Sequence, residues 1–231
     1  MFWVEDDKQD LAELRDSVVD MVFTVSGKTL PVDHAHVLSE AIIEVLPWME
    51  KEPSCGIHLI HVAESGNGWV RPDGDLLYLS RRTKFTMRLP KERIDDAQQL
   101  LGTVLVVDGH ELEFSKSVVR PFNAMPTMFS RYVLGLEGES ENDFLQRCAT
   151  ELKEMGIPVR KMLAGKTHAF VMPEGERMTR TLLVADLSPE HAILLQQRGL
   201  GEGRKKGFGL FIPHKGISAV TSEDGKAQSI D

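Results

Sequence analysis

Residues 198–215 read RGLGEGRKKGFGLFIPHK, and the fold assigned to the chain turns on what this stretch is. Five glycines (Gly199, Gly201, Gly203, Gly207 and Gly209) fall within eleven positions around the basic triplet Arg204-Lys205-Lys206. Glycine is entropically costly to order, so this density predicts a backbone that bends tightly or approaches something closely. N–H groups freed by such bends, with cations beside them, suit an anion, and phosphate is the obvious one. The alternative is a glycine-rich C-terminal hairpin with no ligand.

Two nucleotide motifs fail here. A Walker A loop requires GxxxxGK[ST], whereas Gly207 is followed by Phe208 and no hydroxyl. A dinucleotide fingerprint requires strand, loop, helix and then a further βαβ unit. Here the order is helix, loop, strand, and the roughly 22 residues left are too few for that unit.

Working outward, Ser188-Pro189-Glu190 opens the helix that leads into the loop, with an N-cap and proline at the first helical position. Phe208–Ile212 is expected as the last strand. Upstream, strands are expected at Phe129–Leu136, Lys161–Met172 and Thr179–Leu187, with an amphipathic helix over Ser140–Met155. The first half has the same rhythm. Ser17–Val25 reads as a buried strand, and Val37, Leu38, Ala41, Ile42, Val45 and Leu46 form a helical stripe stopped by Pro47. Strands at Ile57–Val62 and Leu76–Leu89, a helix at Glu92–Leu101 and strands within Thr103–Phe114 follow, with turns at Gly66-Asn-Gly68 and Asp108-Gly109. Each half therefore reads β-α-β-β-α-β. The expected class is α+β, two tandem ferredoxin-like units over 1–116 and 117–231, the second ending in the glycine-rich loop.

The 231 residues are ordinary for a soluble globular protein, with 42% hydrophobic and 27% charged residues. No apolar run approaches the roughly 20 residues of a membrane span, and the acidic first residues do not read as a signal peptide. Cys55 and Cys148 are isolated, so neither a disulfide framework nor a zinc site is expected. These features predict a cytoplasmic protein with no cofactor and no metal. The net charge of −8 hides two basic islands, +5 over 81–93 and +4 over 196–216, against −5 over the first 20 residues. Such islands suit a polyanion, although solvated charge on unrelated faces would look the same.

A glycine-rich loop ending in Gly-Phe-Gly, after the last helix of a tandem ferredoxin-like chain, resembles the RAMP superfamily of CRISPR-associated RNA-binding proteins. The similarity is greatest to the repeat-processing endoribonucleases that cut precursor CRISPR RNA. Residues 30–38, LPVDHAHVL, are similar to the histidine-bearing segment of these enzymes, and residues 80–90, SRRTKFTMRLP, to a segment of the Myxan-type subfamily. Related members often carry a tyrosine near the histidine, where this chain has His36. The resemblance implies CRISPR repeat RNA as substrate, a retained crRNA product, and partner subunits of an interference complex. It also implies metal-independent cleavage leaving a 2′,3′-cyclic phosphate and a 5′-OH.

Asp33 is expected to cap the first helix, which sets His34 and His36 in its first turn. Partial positive charge at a helix start disfavours imidazolium, and a neutral imidazole can take the proton of a ribose 2′-OH. His34, on the apolar stripe, is favoured as the general base or acid, with His36, toward Glu40, as its partner or substitute, although each could be structural. Lys28 could neutralise charge developing on the phosphate. Arg81, Arg82, Lys84 and Arg88 could track an RNA backbone, with the even-numbered three on one strand face. Arg160, Lys161 and Lys166 could grip an RNA hairpin base, and Phe85 and Phe208 could stack on bases. His58 and His61, three apart in an expected strand, should face opposite ways. His110, His168, His191 and His214 suggest no site. A non-catalytic RNA-binding subunit, or a module for a small phosphorylated ligand, would share many of these features.

Overall fold

The computed structural model describes residues 17–62 and 74–215. The Gly66-Asn-Gly68 turn lies outside the described residues. β1 (Val18–Ser26) is central to the first unit, and its apolar residues are buried on both faces. Met21, Phe23 and Val25 are buried under helix α1 (Ala35–Val45), while Asp20, Val22 and Thr24 face the other way.

Five strands surround this axis in the order β3 (Gly56–Ile57), β5 (Lys84–Pro90), β1, β7 (His110–Arg120), β6 (Val104–Val107), each neighbour antiparallel. With α1 and the short α2 (Ile94–Ala97), this is the ferredoxin-like order plus one edge strand, β6. Phe23, Phe85 and Phe114 meet at centroid distances of 5.9, 5.8 and 5.4 Å, tilted or edge to face, at the heart of this core.

The second unit orders its strands β11 (Ile212–Pro213), β8 (Met128–Leu134), β10 (Gly175–Ala185), β9 (Lys161–Met172), again antiparallel throughout. Helices α3 (Glu141–Glu154) and α4 (Pro189–Arg198) cover one face. Both start as the sequence demands: Ser140 Oγ accepts Asp143 N–H, and Ser188 Oγ accepts His191 N–H.

Several expectations are corrected. The strand read at Ile57–Val62 is paired only over Gly56–Ile57, after which the chain leaves the sheet beneath the glycine loop. The long strand at Leu76–Leu89 is two. β4 (Leu76–Tyr78) pairs with β2 (Thr29–Pro31), and a tight turn, with Thr83 N–H donating to Ser80 O, separates it from β5. β7 runs on to Arg120, and the link to β8 occupies residues 121–127, which include Pro121 and Pro126. The final strand is Ile212–Pro213, not Phe208–Ile212. A third, smaller core lies between the units and holds Ala35 and Leu59 from the first with Tyr132, Phe170, Met172 and Phe208 from the second.

Candidate functional site

The glycine loop bends as its composition predicts. All five glycines take positive φ, and a methyl group at Gly209 would lie 2.0 Å from Leu200 O. These bends drive Phe208 into the inter-unit core, where it meets Phe170 edge to face at 5.0 Å. Phe208 and Phe85 are thus core residues and not stacking platforms.

The basic triplet is largely spent on the protein itself. Arg204 donates to the carbonyls of Gln197 (2.6 Å), Arg198 and, in the first unit, Ser54 (3.0 Å). Lys205 Nζ reaches Glu50 O at 2.6 Å, and Lys206 sits 3.5 Å from Glu174. What the loop leaves open is its backbone: no acceptor among the described residues takes the N–H of Gly201, Glu202 or Gly203.

These amides edge a recess of ≈ 440 Å³ bounded by the loop, by Ser39 and Ile43 of α1, and by Met172, Glu174 and Arg177 at the β9–β10 tip. Successive turns of a helix stack side chains three and four apart, so His36 stands on the same α1 face as Ser39 and Ile43, one turn earlier. Its Nε2 lies 3.2 Å from Glu40, and its Nδ1 is buried with no hydrogen-bond partner. The side chain is about one-fifth exposed, and Glu40 beside its Nε2 is mostly exposed.

His34 is placed differently. It is the N-cap residue, 2% exposed, so α1 starts one residue later than the sequence suggests. Its Nδ1–H donates to Pro31 O at 2.7 Å and its Nε2 accepts Ile60 N–H at 3.1 Å, which requires the neutral ring. Both ring nitrogens are thus committed to backbone groups, which argues against His34, the histidine favoured from the sequence, as the group that exchanges a proton with a ribose. Asp33 does not cap the helix; its carboxylate accepts Val171 N–H at 2.7 Å, tying α1 to β9 of the second unit. Lys28 is exposed and lines a separate recess with Thr29 and His110; no contact joins it to His36.

A second surface lies on the opposite side, where the open faces of the two sheets form a cleft of ≈ 440 Å³. Arg82, Lys84, Arg120 and Arg131 line it with His58, His61 and Tyr132. Among the described residues no carboxylate pairs with Arg82, Lys84 or Arg120, and Lys84 Nζ donates to Thr24 Oγ1 at 2.6 Å. Arg81 is exposed on the adjoining turn.

Arg88 is a correction. It shares the strand face of Lys84, but the second unit covers that end of the sheet and leaves it 0% exposed. Its guanidinium binds Asp20 at 2.8 and 3.0 Å, Gln196 O at 2.6 Å and Phe211 O at 3.1 Å, and sits over the Phe122 ring. Four of its five N–H donors are committed within the protein, and its burial keeps it from RNA. Burial pushes the Asp20 carboxyl up, but Arg88 more than offsets this and holds it below the usual range.

His58 and His61 are a second correction. Because the strand ends at Ile57, both line the cleft. Burial, then Arg88, lowers His58 to about 4, so it is neutral; its Nε2 makes no hydrogen bond and lies 3.9 Å from Asp20. His61 packs on Tyr132 at 5.9 Å. Arg120, Arg131 and Tyr132 carry no motif, and only pairing of the sheets brings them here. Arg160, Lys161 and Lys166 are exposed at the start and edge of β9, Lys161 paired with Asp186 at 3.0 Å. No cluster of three or more His, Cys, Asp or Glu among the described residues is arranged to hold a metal, and none of their helices is long and apolar enough to cross a membrane.

A family model described as Cas6 Crispr matches residues 19–216. The CRISPR-associated endonuclease Cas6 of Myxococcus xanthus (strain DK1622) is 28% identical over 209 residues, covering 90% of this chain and 86% of that protein. A solved structure titled CRISPR associated protein Cas6 shares the fold at a TM-score of 0.59 and 12% identity, covering 86% of this chain and 100% of that one. Another, titled an RAMP protein binding different RNA substrates, does so at 0.59 and 14%, covering 84% and 98%. The family resemblance read from residues 30–38, 80–90 and 198–215 thus extends over nearly the whole chain, which belongs to the Cas6 family.

Proposed function

We propose that this chain is an endoribonuclease that cuts CRISPR repeat RNA within precursor crRNA, retains the product and passes it to other CRISPR-associated subunits in the cytoplasm. One observation supports the assignment of the site: the α1 face that carries Ser39 and Ile43, with His36 one turn earlier, and the open amides of the second unit's glycine loop border one recess. Its support in the chain's kinship is the Cas6 family model and a relative named as an endonuclease.

In this reading the scissile phosphate sits against the N–H groups of Gly201, Glu202 and Gly203, whose partial positive charge suits an anion. Lys206 exchanges its loose contact with Glu174 for the phosphate, a small loss because that pair is half exposed. With the Glu40 contact opened and the ring in the tautomer that leaves Nε2 unprotonated, His36 Nε2 takes the proton of the 2′-OH as that oxygen attacks phosphorus, and the imidazolium returns it to the leaving 5′-oxygen. The products are a 2′,3′-cyclic phosphate and a 5′-OH. His34 serves by fixing the start of α1 beneath His36. The strand continues into the cleft on the far side, where Arg82, Lys84, Arg120 and Arg131 meet its phosphates.

The test is cleavage of labelled repeat RNA in EDTA, with the product ends identified. A cyclic phosphate end that disappears in His36→Ala supports the reading. Tight binding with no cut by the unmodified chain would instead make it a non-catalytic RNA-binding subunit.

A further inference from the structure

We propose that Arg88 and Arg204 are positioning residues that together lock the angle between the two units, and so set His36 against the glycine-loop seat. This inference rests on the reading that those two elements share the cleavage site.

The lock is built on the end of α4. A helix leaves its last carbonyls without intrahelical partners and carries partial negative charge there. Gly199 N–H closes on Leu195 O at 2.9 Å, which leaves the carbonyls of Gln196, Gln197 and Arg198. Arg88 takes the first, and Arg204 takes the other two. Each guanidinium also spans the interface. Arg88 is anchored in the first unit by both oxygens of Asp20 and reaches Gln196 O and Phe211 O in the second. Arg204 belongs to the second unit and reaches Ser54 O in the first. The two ties run in opposite directions across one junction.

Elsewhere the directional ties across the junction are single hydrogen bonds, such as Val171 N–H to Asp33 and Lys205 to Glu50 O, and none is a planar fork. The core around Phe208 is apolar, and such contacts resist separation more than they resist rocking. Two planar guanidiniums with fixed donor forks set both distance and angle, which a lysine cannot reproduce. A buried Arg88 paired with Asp20, beside a half-buried Arg204 that meets only carbonyls, is a poor way to gain stability, since well-packed apolar residues would serve as well. A role in geometry accounts for the choice. The consequence falls on catalysis because His36 comes from the first unit and Gly201–Gly203 from the second.

The experiment uses the full chain with nitroxide labels at Glu92→Cys in the first unit and Glu154→Cys in the second, both exposed sites, the native cysteines being buried. Inter-label distances by double electron–electron resonance, repeat-RNA affinity and the single-turnover cleavage rate are compared for the parent, Arg88→Lys and Arg204→Lys. We expect the distance distribution to at least double in width and the rate to fall tenfold or more, with Kd within threefold. An unchanged distribution, or an unchanged rate, overturns the proposal. So does a loss of affinity with full rate at saturating RNA, which would make these residues RNA contacts. Should Arg88→Lys not fold, Arg204→Lys and Asp20→Asn carry the same comparison. If the parent does not cut repeat RNA, the functional reading fails, while the distance distributions still decide whether the lock exists.

Discussion

Alanine at Gly209 and at Gly201 should have very different effects, although both glycines have left-handed backbone, φ +65° and +70°. At Gly201 a methyl group meets nothing within 4 Å, so the cost is the left-handed conformation alone, about 1–2 kcal/mol. At Gly209 it would lie 2.0 Å from Leu200 O and 3.0 Å from Leu200 C, both backbone atoms. Relief requires the strands of the loop to part by more than about 1 Å, since carbon and oxygen ordinarily meet no closer than about 3.3 Å. That movement breaks the bonds from Gly209 N–H to Tyr132 O (2.7 Å) and from Leu200 N–H to Gly209 O (3.0 Å), each worth about 1 kcal/mol net. It also withdraws Phe208, whose full truncation would cost about 3–5 kcal/mol. The expected totals are about 1–2 kcal/mol for Gly201→Ala and about 4–6 kcal/mol for Gly209→Ala, the latter a large share of a typical fold's stability. Urea titration followed by tryptophan fluorescence measures both. Equal effects within about 1 kcal/mol would refute the packing described for the loop.

Other expectations are quicker to check. Replacing Arg82, Lys84 and Arg120 together by alanine should flatten the dependence of log K on log salt by about 2, near 0.7 per lost phosphate contact on a single strand; an unchanged slope removes the cleft from the RNA path. His58 is held at about 4 when folded and titrates near 6.5 when unfolded, so the unfolded state binds more protons between these values. Stability should therefore be complete above about pH 6.5 and fall by up to about 3 kcal/mol on acidification toward pH 4, with Asp20 adding to the loss at lower pH. A flat urea midpoint between pH 7 and pH 5, or the same decline in His58→Asn, contradicts this. Burial pushes the thiols of Cys55 and Cys148 up to about 12, so neither should react with a disulfide reagent at pH 8 until the chain unfolds. Rapid labelling of the native protein would show that one of these thiols is accessible.

The doubled ferredoxin-like order was legible because its signals are local. β1 is a mostly apolar run, Ser140 and Ser188 cap their helices, and Asp108 and Gly109 take the left-handed turn their types favour. What escaped depended on contacts far along the chain. Asp33 reads as a helix cap, yet its carboxylate is claimed by Val171, 138 residues away. Alternation correctly put Arg88 beside Lys84 but could not show that the second unit covers one and leaves the other open. The triplet 204–206 announces charge, whereas the carbonyls at the end of α4 decide where much of it goes. His58 and His61 were separated by a strand that ends too early to separate them. Of the two candidate histidines, the apolar stripe favoured His34; its partners, Pro31 O and Ile60 N–H, turn the choice to His36.

The central claim is that His36, working across the recess from the glycine loop, cuts repeat RNA. Its most direct test is the single-turnover rate on labelled repeat RNA in EDTA for the parent chain and His36→Ala, with affinity measured alongside. The parent should yield a 2′,3′-cyclic phosphate product. The rate should be lowered at least a hundredfold in the variant, within the usual range for removing a general acid or base, with RNA affinity nearly unchanged. Cleavage by His36→Ala at the parent's rate would contradict the claim.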